Sequence, residues 1–441
     1  MPPGVGLPAA ARENEGTMRV GAASGVIEVP LFTELYGYGP FLGRRNRGVH
    51  DPLRCRAGSF FDGKRRVIVI SNDLVTMSRS AARAVRAGIY RQTGTDPAGI
   101  MVCGSHTHSG PTISRGIGWG ELNVEFREYW IRQAVARGIE AVNDEEDVTM
   151  AGGISPLLEK LGTNRVKENG PTDLDIRWVK FKRGDGGVKL LVHNHGMHGV
   201  VFGTVPLVSA DWIGAANTLA VERRLAENVI FLQGAEGNVN TEPCCLSLEK
   251  GLPHLKRISQ SYIGSLEAGF AAEKAMPRES VAFVCRDFRL PAKPADPASL
   301  RRNAAALRAA QDGANSYLAD RFEEMALYME AGNSIDVHAD LQVLRIGELF
   351  VYAMPGEPFV EIGMELMRKS PGFPMVAGIA NGNCRYFPTR ETFERFPSIT
   401  SPRSYGFYEI HQGCGRFMPE YDDDIAAFMI GRMLELAAEI A

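Results

Sequence analysis

Long hydrophobic runs are missing from this chain of 441 residues. No stretch approaches the roughly 18 apolar residues that cross a bilayer, so no membrane span is expected. Charge of one sign is also scarce, since 49 basic against 52 acidic residues leave a net −3. That balance supplies no basic field for nucleic acid and no cationic face for an acidic membrane. The expected partner is therefore a small-molecule substrate, with neither nucleic acid nor membrane, and the oligomeric state is not readable. Cysteine is sparse and odd in number: Cys55, Cys103, Cys244, Cys245, Cys285, Cys384 and Cys414 include no C-x-x-C pair. Such a pattern argues against a disulfide framework and fits the reduced thiols of a cytoplasmic enzyme. Residues 1–17 are rich in Pro, Gly and Ala and lack the apolar core of a secretory signal. They read as a disordered lead-in, with Met18 as an alternative start and 18–441 as one domain.

What is present is the composition of a globular protein, 44% hydrophobic and 23% charged, with ample material for a core. Alternating small and apolar residues over 18–29 suit an opening strand, and the β-branched run Arg66-Val67-Ile68-Val69-Ile70 a buried one. Residues 78–93 carry apolar side chains at helical spacing behind Ser78, a natural cap. Ile100-Met101-Val102-Cys103 is the next strand. Further helices are expected over 121–142, 215–227 and 248–270, in one or two pieces over 297–332, from 358 toward 369, and over 423–440. Further strands are expected over 148–154, 176–181, 187–193, 229–232, 280–290, 336–346, 349–354 and 374–380. Strands and helices alternate, which predicts an α/β fold of mixed sheets flanked by helices.

Two of the nine histidines stand in Gly104-Ser105-His106-Thr107-His108-Ser109-Gly110-Pro111, where a strand emerges into a turn. In extended chain, residues i and i+2 point the same way, so this pair can present two imidazoles to one cavity. A hydrogen-bonded polar turn is the alternative. Four more strands end in turns carrying residues able to bind metal or move protons: 193–199, 234–240, 355–358 and 381–386. Functional groups gather beyond the carboxyl ends of strands, where loops are free and the sheet holds them in place. Imidazoles with one carboxylate and an oxygen ligand form the donor set of a catalytic zinc. Taken singly, Glu357 also suits a helix start, Tyr386 a buried aromatic, and Asp211 a cap for the helix that follows it. Arg44, Arg45 and Arg47 form either a solvated loop or a contact for a substrate carboxylate.

Five pieces in order carry a resemblance: Ser-His-Thr-His-Ser-Gly-Pro at 105–111, His198-Gly199-Val200-Val201-Phe202-Gly203 with Ser209-Ala210-Asp211, Phe231-Leu232-Gln233-Gly234-Ala235, Met354-Pro355-Gly356-Glu357, and Tyr386-Phe387-Pro388-Thr389. Together they resemble the neutral ceramidase family. The resemblance implies the fold of that family's catalytic domain and one catalytic zinc per chain, held by His106, His198, Glu357 and Tyr386. It makes His108 a catalytic neighbour of the metal, orienting water or steadying an oxyanion. The family has a different tripeptide where this chain has Met197-His198-Gly199, which leaves His195 as a competitor for the ligand role.

The chain also departs from the family. Ceramidases carry Gly-Asp-x-Ser-Pro-Asn after the glycine-rich strand end, and here the residues are Gly237-Asn238-Val239-Asn240-Thr241-Glu242-Pro243. An amide is neither nucleophile nor base, so a metal-bound water is the expected attacker. No room is expected after the last helix for the β-sandwich of the full-length ceramidases. The expected activity is a zinc-dependent hydrolase cleaving an amide, ester or lactone in a compact, soluble, polar or anionic substrate. Asn238, Asn240, Arg45 and Arg385, with Arg403, are expected to contact that substrate. Two alternatives remain open: a metal-dependent lyase or isomerase of an oxygen-rich small molecule, and a non-catalytic relative that binds a ligand.

Overall fold

The computed structural model describes residues 18–39, 43–114, 120–309, 313–399, 401, 404–412 and 417–441. The lead-in 1–17, Arg403 and Cys414 lie outside them.

The first layer is built from β1 (Arg19–Ile27), β2 (Leu53–Phe61), β3 (Arg66–Asn72) and β4 (Ile100–Gly104), with α1 (Arg79–Thr93) and α2 (Val124–Asn143) on one face. Strand β5 (Glu146–Asp147) closes an edge, giving the order β4-β3-β2-β1-β5. Ser78 caps α1 by accepting the Ala81 amide at 3.2 Å, and Gly94 ends it with φ 71°, a left-handed conformation that glycine adopts without strain.

The second layer contains β6 (Thr149–Pro156), β8 (Asp175–Lys182), β9 (Val188–His195) and β10 (Asn228–Gln233), backed by α3 (Asp211–Glu222) and α4 (Leu248–Ala268). Two short strands, β7 (Gly162–Asn164) and β11 (Val239–Thr241), pair with each other, and β12 (Lys274–Ala275) extends the sheet edge. The third layer is β13 (Val281–Arg289), β14 (His338–Ile346), β15 (Leu349–Ala353) and β17 (Phe373–Ala377). Between them in the chain lie α5 (Pro297–Ala309), α6 (Gly313–Glu330), β16 (Glu357–Pro358) and α7 (Val360–Lys369). The chain ends with β18 (Tyr386–Phe387), α8 (Arg390–Arg395) and α9 (Ile425–Ile440).

One core joins the three sheets. Val67, Val69 and Met101 of the first meet Phe181, Leu190, Ile230 and Leu232 of the second and Leu344, Val351 and Met375 of the third. The opposite face of each sheet is covered by its own helices: α1 and α2, α3 and α4, and α7 and α9. Each sheet also contains one parallel pair, β3 with β4, β9 with β10 and β15 with β17. Isolated bridges Thr107↔Gly199, Cys103↔Ala380 and Ser109↔Ser209 tie together the loops beyond those carboxyl ends. No described helix is long and apolar enough to cross a membrane.

Candidate metal centre

The turn after β4 is held by backbone before any side chain is considered. His106 takes φ 65°, costly for a non-glycine residue and common where function over-determines the backbone. Its amide bonds the Leu74 carbonyl at 3.0 Å, and its ring Nδ1 lies 2.7 Å from the Val75 carbonyl oxygen. A carbonyl accepts only, so Nδ1 carries the proton and Nε2 presents a lone pair. His198, beyond β9, is fixed in the same way, with Nδ1 2.9 Å from the Glu236 carbonyl and 3.1 Å from that of Val239. The Gln233 amide clamps the two histidine loops, donating to the carbonyls of Ser105 at 3.0 Å and Met197 at 3.1 Å. Asp211, at the start of α3, accepts the amides of Val201, Phe202 and Trp212 and so pins the loop after His198.

Glu357 arrives from the third sheet. Its Oε2 lies 3.3 Å from His106 Nε2 and 3.4 Å from His198 Nε2, without hydrogen-bond geometry to either or to any other described residue. Three acceptor atoms thus converge in a buried place; His108 Nε2 reaches His106 Nε2 and Arg165 Nη1 reaches His198 Nε2 from outside, while Glu357 Oε2 is left without a partner, a need that a cation at the centre would meet. Adjacent ligands on a tetrahedral zinc with bonds of about 2.0–2.1 Å are about 3.3 Å apart, the separation found here. The donor set therefore fits a divalent ion of zinc type.

The protonation states agree with this. Burial, reinforced by Arg165, pushes His198 down to about 4, and burial beside His106 and His198 pushes His108 well below the usual imidazole range. Both are neutral at neutral pH. His108 places Nε2 3.1 Å from His106 Nε2, and its main-chain carbonyl accepts Arg44 at 2.7 Å. Tyr386 is the register partner of Glu357 in the parallel β16–β18 pair, which sends both side chains to one face.

His106, His108, Glu357, Arg385 and Tyr386 all line one cavity of about 540 Å³. The structure thus brings together His106, His108, His198, Glu357 and Tyr386. His195 is sent elsewhere, with Nδ1 3.0 Å from the Asp175 carbonyl and its ring packed by Trp212 and Tyr262. Of the described residues expected at the substrate, only Arg385 lines the cavity. Asn238 accepts the Val360 amide at 2.8 Å and donates to Glu361 at 2.9 Å. Asn240 accepts from Arg165 at 3.0 Å, and Arg45 is exposed between Glu34 and Glu121.

Sequence reasoning missed Arg165 and Glu236. Arg165 is buried beside the centre, donating to Glu409 at 2.8 Å and to the Gly237 carbonyl at 3.0 Å, with Nη1 3.4 Å from His198 Nε2. Its guanidinium stands 5.4 Å from the Tyr386 ring. It follows β7, three residues long and too short to announce itself by periodicity. Glu236 had a signal, a charged residue in the glycine-rich turn three residues past the end of an apolar strand.

Three mixed sheets around one core, with their parallel pairs converging on a histidine–carboxylate cluster, make this an α/β protein of neutral ceramidase fold. The structure of neutral ceramidase from Pseudomonas aeruginosa matches with a TM-score of 0.75 at 16% identity, covering 96% of this chain and 74% of that one. A second solved structure, ceramidase complexed with C2, matches with a TM-score of 0.75 at 15% identity over 96% of this chain and 75% of the other. No family model matches the sequence, and comparison with curated proteins gives no match.

Proposed function

We propose that this chain is a metal-dependent hydrolase, with one zinc ion per chain held by His106, His198, Glu357 and Tyr386, cleaving an amide, ester or lactone bond. The observation that carries the reading is the convergence of His106 Nε2 and His198 Nε2 on Glu357 Oε2 at 3.3 and 3.4 Å, with that buried carboxylate oxygen left without a hydrogen-bond partner among the described residues. When bound, such an ion polarises a carbonyl and lowers the pKa of water toward about 7. His108 is neutral and buried on the cavity wall, ready to take a proton from the attacking water or donate a hydrogen bond to the developing oxyanion. Arg165, fixed by Glu409 and Asn240, keeps a positive charge beside the reacting centre without reorganisation. Asn240 cannot attack a carbonyl, and its oxygen is bonded to Arg165.

The substrate is a compact soluble molecule with a polar or anionic group. A volume of about 540 Å³ is that of a drug-sized site, and Arg79, Arg127 and Arg385 stand in its wall. Elemental analysis of protein purified without chelator should return one equivalent of zinc. Turnover in ¹⁸O-labelled water should place solvent oxygen in the product. A product without label would exclude hydrolysis and favour a lyase or isomerase, and absence of metal would favour a non-catalytic ligand binder.

A further inference from the structure

Glu236 stands on the turn after β10 with a fully buried side chain, and neither carboxyl oxygen has a hydrogen-bond partner among the described residues. One of these oxygens, a Glu357 carboxylate oxygen and a His106 ring nitrogen all lie within 4.8 Å of one another. We propose that Glu236 is a further ligand of the metal ion, adding a second carboxylate to the set of His106, His198, Glu357 and Tyr386. The proposal rests on the metal reading above and changes its donor set.

Three observations carry it. The first is span: the Glu236 oxygen, the Glu357 oxygen and the His106 nitrogen all lie within 4.8 Å of one another, within reach of one common ion. The second is placement. The main-chain carbonyl of Glu236 already accepts His198 Nδ1 at 2.9 Å, so a residue that orients one ligand aims its own carboxyl at the same centre. The third is room, kept by Gly378, where a Cβ would stand 2.7 Å from Glu236 Oε2. Only glycine leaves the carboxyl where it is.

The nearby cation does not explain Glu236. Arg165 is bonded to Glu409, Asn240 and the Gly237 carbonyl, with no bond to Glu236. Glu236 and Glu357 bring two carboxyl groups to one buried place. Both carboxylates can be ionised together only with positive charge between them. A second carboxylate makes the site harder, raising its relative affinity for ions such as Mn²⁺ that prefer oxygen donors.

The test uses full-length protein, stripped of metal and titrated with Zn²⁺ and with Mn²⁺ by calorimetry, as wild type and as Glu236→Gln. The variant keeps the volume and loses the charge. It is expected to weaken Mn²⁺ binding by about tenfold or more and Zn²⁺ binding by less. Affinities within about twofold of wild type for both ions, in a variant with unchanged circular dichroism, would overturn the proposal. If Glu236→Gln does not fold, crystals of zinc-loaded wild type decide it. A Glu236 oxygen at about 2.0–2.2 Å from the ion supports ligation, and one beyond about 3 Å overturns it. An ion on His106, His198 and Glu357 with Glu236 out of reach removes only this proposal. A wild type that binds neither ion removes the metal reading with it.

Discussion

His193, His195 and His198 fall within one short stretch, and the fold sends them to three environments. His193 is a core residue, its Nδ1 accepting the Tyr262 hydroxyl at 2.9 Å and its Nε2–H donating to Asn217 Oδ1 at 2.9 Å. Burial pushes its pKa down to about 4. Because the folded value lies below the unfolded value near 6.5, nothing is lost above that pH. Stability should fall as pH drops from about 6.5 through about 4, by about 3 kcal/mol from this residue alone. Urea unfolding of wild type and His193→Gln across that range checks it, since the variant should lose this part of the pH dependence. The cluster residues are expected to separate by role. His106→Ala and Glu357→Ala should lose metal and activity together, while His108→Ala keeps the metal and loses about 10²–10⁴ in rate. Metal content and single-turnover rates on the same preparations distinguish the two. The first histidine of the site was legible because His-x-His after an apolar strand has a geometric meaning. The second was not, because the choice between His195 and His198 depends on how the chain leaves β9, which spacing does not encode.

At the scale of elements, the strands rich in β-branched residues and the capped helices were readable almost end to end. Strand β2 was not, because Leu53-Arg54-Cys55-Arg56-Ala57-Gly58-Ser59 has little β-propensity. It is held by its neighbours β1 and β3 and by the buried pair of Arg56 with Asp73 at 2.8 Å. Strands β7 and β11 are too short for any period. The same limit hides what Asn238 does. Its carbonyl oxygen accepts the Val360 amide and its amide donates to Glu361, capping α7 from another loop and fastening the β10 turn to the segment that carries Glu357. Removing such a cap costs about 1 kcal/mol. Asn238→Ala should therefore lower unfolding free energy by about that amount and weaken metal retention, with KM unchanged. A raised KM at unchanged stability would instead make Asn238 a substrate contact, as its position in the sequence first implied.

The molecule as a whole explains why so little identity accompanies so much shared structure. Each sheet gives one face to a common core and the other to its own helices, so the fold requires apolar character at alternating positions and tolerates exchange among Val, Ile, Leu and Met. The site requires more, namely particular residues where the parallel pairs end, and those were the pieces recognisable in the sequence. The cavity wall draws on segments distant in sequence, from α2, β14 and the loop before α9, and no local pattern reports that they meet. Arg127 is the informative member of this wall. Its guanidinium reaches the Glu128 carboxylate at 3.0 Å, its Nε is buried with no partner among the described residues, and it faces the cavity. A substrate carboxylate would satisfy that nitrogen with a charge-assisted bond worth about 1.5–3 kcal/mol. Arg127→Ala should therefore raise KM about tenfold or more for amides and esters bearing a carboxylate, and leave neutral analogues of the same size within about twofold. Long-chain ceramide, assayed beside them with metal-replete protein, should be turned over poorly. Efficient ceramide cleavage with no turnover of the soluble panel would overturn the substrate reading while leaving the metal centre in place.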